Sequence, residues 1–321
     1  MTWLAWRQHR QHLLTAAVAI AVVGAAFAGM RGALVAYLHD SGLAACLAQP
    51  AEGCGNLIGG LREKYPSLLE SLPYLNLAPA LVGLFWGAPL VAGEVEHGTH
   101  RLAWTQAVSR HRWLWTKLAL LGTGCVAFGL AAGALDRWFL DPYIRASAIS
   151  PVQRNWIGLF GAAPAAYALF ALAVGVAVGT YARRTLPAMM ITLAIFVPLR
   201  LGWDQLRYSL LSPVRVAYPI DAARPAGVVR QDWRLDLTSM VDPAGRPVTV
   251  GQAGQWCAQA ATPGGKGGLT ECLAAHGVQQ VDWYVPASWF WRLQALDVST
   301  FTVLAAVLLV VAAIRVVRRV S

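Results

Sequence analysis

Glu94, Glu96, His97 and His100 crowd into seven residues. Two carboxylates and two imidazoles so close together are the side chains that bind a divalent metal, so metal-assisted hydrolysis is the first chemistry to test. The spacing argues against it. A zinc-protease helix carries His-Glu-x-x-His, with the ligands four apart and a general base between them. Here the histidines are three apart, the acids precede them, and Gly98-Thr99 would interrupt the helix. There is no G-x-S-x-G nucleophile elbow. GGKGGLT, from Gly264 to Thr270, lacks the spacing of a phosphate-binding G-x-x-x-x-G-K-[ST] loop. The expectation is a chain with no catalytic residue, no metal and no cofactor of its own, which hydrolyses no ATP by itself.

These residues belong to a polar island, Trp86 to Lys117, set between two apolar runs. The chain has 321 residues, of which 57% are hydrophobic and only 13% charged, which is too apolar for a soluble protein. Six runs are long enough to cross a hydrocarbon core of roughly 30 Å at about 1.5 Å per residue. They are Leu13 to about Leu38, Tyr74 to Gly93, Trp113 to Leu135, Trp156 to Tyr181, Leu186 to Trp203 and Leu296 to Ile314. Arg7, Arg10 and the apolar run after them also have the outline of a signal peptide, but the run is longer than a usual signal core, so an uncleaved first span is expected. The second run carries Pro79 and Pro89, which predicts a tilted or broken helix. Thr2 to His12, with Trp3, Trp6, Arg7 and Arg10, reads as an interfacial helix leading into the first span.

The net charge of +10 does not point to nucleic acid, because no basic run is interleaved with stacking aromatics. The cations sit at the ends of apolar runs, as orientation signals and lipid contacts do. Arg7 and Arg10, then Arg101, Arg110, Arg112 and Lys117, then Arg183 and Arg184, then Arg315, Arg318 and Arg319 occupy short segments on one side. By the positive-inside rule that side, with both termini, is cytoplasmic. Cys46, Cys54, Cys257 and Cys272 then fall outside, where disulfides form. The pairing closest in sequence is Cys46 with Cys54 and Cys257 with Cys272; two other pairings, and free thiols, stay open.

Gly83 and Gly87, Gly129 and Gly133, and Gly175 and Gly179 have the spacing that lets helices approach closely in lipid, although so glycine-rich a chain can also produce it by chance. No acid is expected deep in a span; Asp136 and Arg137 read as a span's end, and no charged cavity residue is expected. Leu206 to Pro219 suggests a re-entrant or interfacial helix. Val228 to Trp291 has turn signals at DPAGRP and PGGKGG and reads as a loop-rich cap of a few strands. Trp283, Tyr284, Trp289, Phe290 and Trp291 read as an aromatic belt before the last span.

On the island itself, a helix would put Glu94, Gly98 and Arg101 on one face, and Glu96 and His100 on another. Gly98 is placed to end that helix, and Thr99 and Ser109 are candidate N-caps. Glu94, Gly98, Thr99, Arg101, Gln106, Ser109 and Arg110, with six spans and an interfacial N-terminal helix, resemble the permease subunit of a bacterial type-2 ABC exporter. The likeness covers the whole chain except the exterior segment, which is longer than the family's compact version. It implies an all-α integral membrane protein in the plasma membrane, with a cytoplasmic coupling helix between spans two and three that docks on a separate ABC ATPase subunit. Glu94, Glu96, His97, Gly98, Thr99, Arg101, Gln106, Ser109 and Arg110 would make that contact. ATP and Mg would be bound by the partner ATPase, and a second permease chain, identical or related, would complete the assembly. The expected division is residues 1–203 for the interfacial helix and five spans, 204–292 for the extracellular segment, and 293–321 for span six and the tail. The apolar linings suit a hydrophobic or amphiphilic cargo. Two competing readings are a membrane-embedded metal-dependent enzyme built on Glu94, His97 and His100, and a sensor or anchor with an exterior ligand-binding cap.

Overall fold

The computed structural model describes residues 2–48, 54–66, 71–98, 110–147, 149–222, 228, 232–258 and 268–319. Six helical segments are long and apolar enough to cross a membrane. We call them spans one to six: Arg10–Asp40, Leu72–Glu96, Arg112–Ser147, Ala163–Ala182, Thr185–Ser209 and Ala287–Val316. The chain forms two compact units. One comprises Met1–Ser147, Arg154–Leu206 and Trp291–Ser321; the other comprises Ala148–Gln153 and Arg207–Phe290.

In the first unit, span four is the central element. Its face-on neighbours are backbones rather than long side chains. A Cβ added at Gly83 would stand 2.6 Å from the Ala171 carbonyl oxygen, and one at Gly87 would stand 2.6 Å from that of Leu172. Gly175 and Gly179 return the approach, and Gly133 lies against the Gly161 carbonyl. All three glycine pairs thus sit at span four's contacts with spans two and three. In lipid there is no hydrophobic drive between helices, so close van der Waals approach must hold them together. Span one is the opposite case: Leu14, Val18 and Val22 are exposed, as a lipid-facing helix requires.

Span two is broken as its prolines predict. It runs as a 3₁₀ turn, Leu72–Leu77, a short α-helical piece, Pro79–Val82, a π turn, Gly83–Gly87, and an α-helix, Ala88–Glu96. Other boundaries differ from expectation. The N-terminal segment is not a separate helix but the first turns of a single helix, Thr2–Asp40; Trp3 is 66% exposed and stacks under Arg7. The third helix continues past Leu135 to Ser147, and the fifth continues past Trp203 to Ser209. Trp156 falls in an irregular stretch, with a 3₁₀ turn at Ile157–Leu159, before span four.

The second unit is built on an antiparallel sheet of β1 (Val214–Pro219), β2 (Trp233–Val241), β3 (Pro247–Val248) and β4 (Gln279–Val285), in the order β1-β4-β2-β3. Val214 pairs with Tyr284, and Trp233 with Val285. Leu206 to Pro219 is therefore not an interfacial helix: its first residues finish span five, and its last are β1. Pro213 cannot continue a helix, and the β-branched Val214 and Val216 favour a strand. Two short helices, Val250–Trp256 and Leu269–Ala275, close the sheet unit; Thr249 and Gln252 form a capping box on the first. The Cys257–Cys272 disulfide joins the end of the first of these helices to the middle of the second, and Cys46–Cys54 clips the segment after span one. Tyr284 is buried in the sheet, bonded to Asp282, and so does not belong to an aromatic belt; Trp291, 71% exposed, does face outward.

Candidate functional site

At the end of span two, the sequence-singled residues divide into ties and exposed groups. Glu94 forms an ion pair with Lys117 across to span three, and both side chains are largely withdrawn from solvent. The Lys117 ammonium also lies 4.7 Å from the centre of the Trp113 ring. Glu96 accepts a hydrogen bond of 2.7 Å from the backbone N–H of Thr185, the first residue of span five. A carboxylate there satisfies one of the free donors at a helix start and meets the positive end of its dipole. Arg315, near the end of span six, stacks over Tyr181 at 3.6 Å and donates to the Thr180 carbonyl of span four. This end of the bundle is therefore clasped pairwise: two to three, two to five, and four to six.

His97 terminates the helix, with its Nδ1–H donating to the Gly93 carbonyl at 2.8 Å. Gly98 then takes φ +70, a left-handed conformation that an L residue adopts only at a cost. Glu96, His97 and Gly98 are exposed. Thr99, His100, Arg101, Gln106 and Ser109 lie outside the described residues, and Arg110 opens the helix of span three. At the N-terminus, Arg7 and Arg10 are exposed; the position of the Trp6 side chain is not described. Among the described residues, Cys257, Cys272 and His276 bring ligand atoms within 4.8 Å of one another, but the two sulfurs are joined to each other.

The other polar centre was not anticipated. Arg200, wholly buried in span five, donates to Asp204 at 2.6 Å and to the side-chain amide oxygen of Asn76 at 3.1 Å, with Tyr167 4.2 Å away under its guanidinium. Asp297 of span six, also buried, accepts from Tyr167 of span four at 2.6 Å and from Trp203 of span five at 2.7 Å. One turn earlier, Gln294 accepts from the N–H groups of Ala162 and Ala163 and donates to the carbonyls of Ile157 and Phe160. A side chain of span six thus caps the start of span four. The helices run longer than their apolar cores, so acids counted as lying at span ends are enclosed by neighbours. Arg200–Asp204 and Gln294–Asp297 do carry a sequence signal, spacings of four and three on one helical face, but nothing in it says that the face is inward.

A cavity of about 130 Å³ opens beside this network. Val23 of span one, Phe128, Ala132 and Asp136 of span three, Asn76 and Tyr167 line it. The expectation of no charged cavity residue is thereby corrected, because span three does not end at Leu135.

Comparison with known proteins agrees with this architecture. Residues 17–207 match the family described as ABC-2 membrane transporter related. That match covers more than half of the chain, and the protein belongs to this family: it is a multi-pass membrane protein, the permease component of an ABC transporter. No curated protein and no solved structure matches it.

Proposed function

We propose that the chain is the membrane-spanning subunit of an ATP-driven exporter in a bacterial plasma membrane, with both termini cytoplasmic. A separate ABC ATPase docks on the segment from Glu94 to Arg110 and moves a hydrophobic or amphiphilic cargo through a pair of permease chains, identical or related. The observation that carries this reading is the set of clasps behind that segment. Glu94 to Lys117 and Glu96 to the start of span five connect one short exposed turn to three spans. A push on His97 and Gly98 therefore reaches the helices as a unit instead of being lost in a slack loop. Glu94 acts as a buried tie rather than as a docking contact, while Glu96, His97, Gly98, Thr99, Arg101, Gln106, Ser109 and Arg110 make or shape the docking face. ATP and Mg belong to the partner, and the energy arrives mechanically.

The test is reconstitution with the ATPase that co-purifies with the chain. In Gly98→Trp, ATP hydrolysis continues while vesicle export falls at least about tenfold, on the order of 1.4 kcal/mol of coupling. Export at the wild-type rate, or purification with no ATPase bound, defeats the reading.

A further inference from the structure

Asp136 stands apart from the other buried charges. It is 9% exposed and faces the cavity, and among the described residues its carboxylate has neither a hydrogen-bond nor an ion-pair partner. The charges around it are already committed. Arg200 reaches Asn76 and Tyr167 from behind the cavity wall and is matched by Asp204. Arg137, next in the chain, turns to Asp141 at 3.6 Å and to the ring of Phe160. A carboxylate withdrawn from water without a partner is costly to keep, and a cation entering the cavity relieves that cost.

The rest of the lining selects which cation. Val23, Phe128 and Ala132 offer no hydrogen bonds, whereas the aromatic ring of Phe128 in the lining attracts an ammonium group. The volume of about 130 Å³ is close to that of the ~150 Å³ apolar cavity known to admit benzene. A hydrated inorganic ion gains little from such walls, and an anion is repelled. We infer that this cavity is a binding site for lipophilic primary amines, with the ammonium on Asp136 and a single ring or short chain among Val23, Phe128 and Ala132. As the class of cargo, this rests on the exporter reading; as a binding site, it does not.

The experiment uses the purified full chain in lipid nanodiscs, without ATPase or nucleotide, and two probes of nearly equal shape: benzylamine, charged at neutral pH, and benzyl alcohol, neutral. Ligand-observed NMR titration is expected to give benzylamine at least about tenfold the affinity of benzyl alcohol. Asp136→Asn removes that preference, Asp136→Glu keeps most of it, and Ala132→Phe, which fills the cavity, abolishes site binding of both. Equal affinities in the wild type, or a preference that survives Asp136→Asn, overturns the inference. Because no transport is measured, its failure leaves the permease reading standing, and a failure of coupled export leaves the binding result standing.

Discussion

Asp297 and Asp136 are both carboxylates enclosed by helices of the same unit, and their surroundings differ completely. Asp297 is held by a tyrosine hydroxyl and an indole N–H from two other spans, beside a glutamine that caps the start of span four. Asp136 faces a cavity and has no partner among the described residues. In lipid a buried polar group must find its partners inside the protein. The first carboxylate therefore reads as structure, a device that fixes how spans four, five and six meet. The second reads as a position reserved for something that arrives.

Breaking the matched side should cost most. Arg200→Leu removes the buried donor that serves both Asp204 and Asn76, and removing one partner of a buried pair costs about 3–5 kcal/mol. The expected result is a large fall in thermal midpoint in detergent, or loss of the folded chain from the membrane. Gln294→Leu orphans the N–H groups of Ala162 and Ala163 and the Phe160 carbonyl at the start of span four, while the Ile157 carbonyl keeps the Phe160 N–H. About 2–3 kcal/mol is expected to disappear, and hydrogen exchange at Ala162 and Ala163 should rise before it rises elsewhere. Stability that is unchanged in either variant would remove the structural half of the comparison.

Smaller effects sharpen the contrast. A double-mutant cycle on Glu94→Gln and Lys117→Met should give a coupling of about 1–2 kcal/mol. A value near zero would dissolve the clasp between spans two and three. Asp136→Leu is expected to leave stability unchanged or slightly raised, since it deletes a charge that supports nothing; a midpoint lowered by several degrees would make Asp136 a structural residue after all.

The sheet unit supplies a third carboxylate, matched in the manner of Asp297. Burial pushes Asp282 up, but hydrogen bonds from Tyr218, Gln280 and Thr238, with the Arg234 charge, more than offset it and hold the group below the ordinary carboxylate range. Asp242 is lowered chiefly by the backbone N–H of Arg246. For a depressed carboxylate, the stabilisation is present above the unfolded value, about 4, and is lost as pH falls through the folded value. Hydrogen exchange on β4 should therefore accelerate as pH drops below about 4, after correction for the intrinsic rate. Protection that holds throughout that range would contradict this linkage.

Much of this was legible in residues alone. Six apolar runs of helix-spanning length pointed to six spans, because a helix satisfies every backbone group of such a run within itself. Pro79 and Pro89 announced the broken second helix. The glycine pairs had the spacing for close approach, but only the structure separated that from chance and showed that all of it converges on span four. Cys46, Cys54, Cys257 and Cys272 suggested the two disulfides by proximity in sequence, while their geometry decided between pairings. Hydropathy misplaced the helix ends after Leu135 and Trp203. Its periodic windows measure how apolar a stretch is, whereas a helix continues for as long as its backbone and its neighbours allow.

What the sequence determined by itself was membership of the membrane and the polar turn at Glu94 to Gly98, since both depend on residue type and local spacing. Only the tertiary structure decided which charges are inside and which of those are answered. Arg200, Asp297 and Asp136 look alike as letters near the ends of apolar runs. Whether each is a tie or a vacancy depends on side chains from other helices, as far from it in sequence as Asn76 is from Arg200.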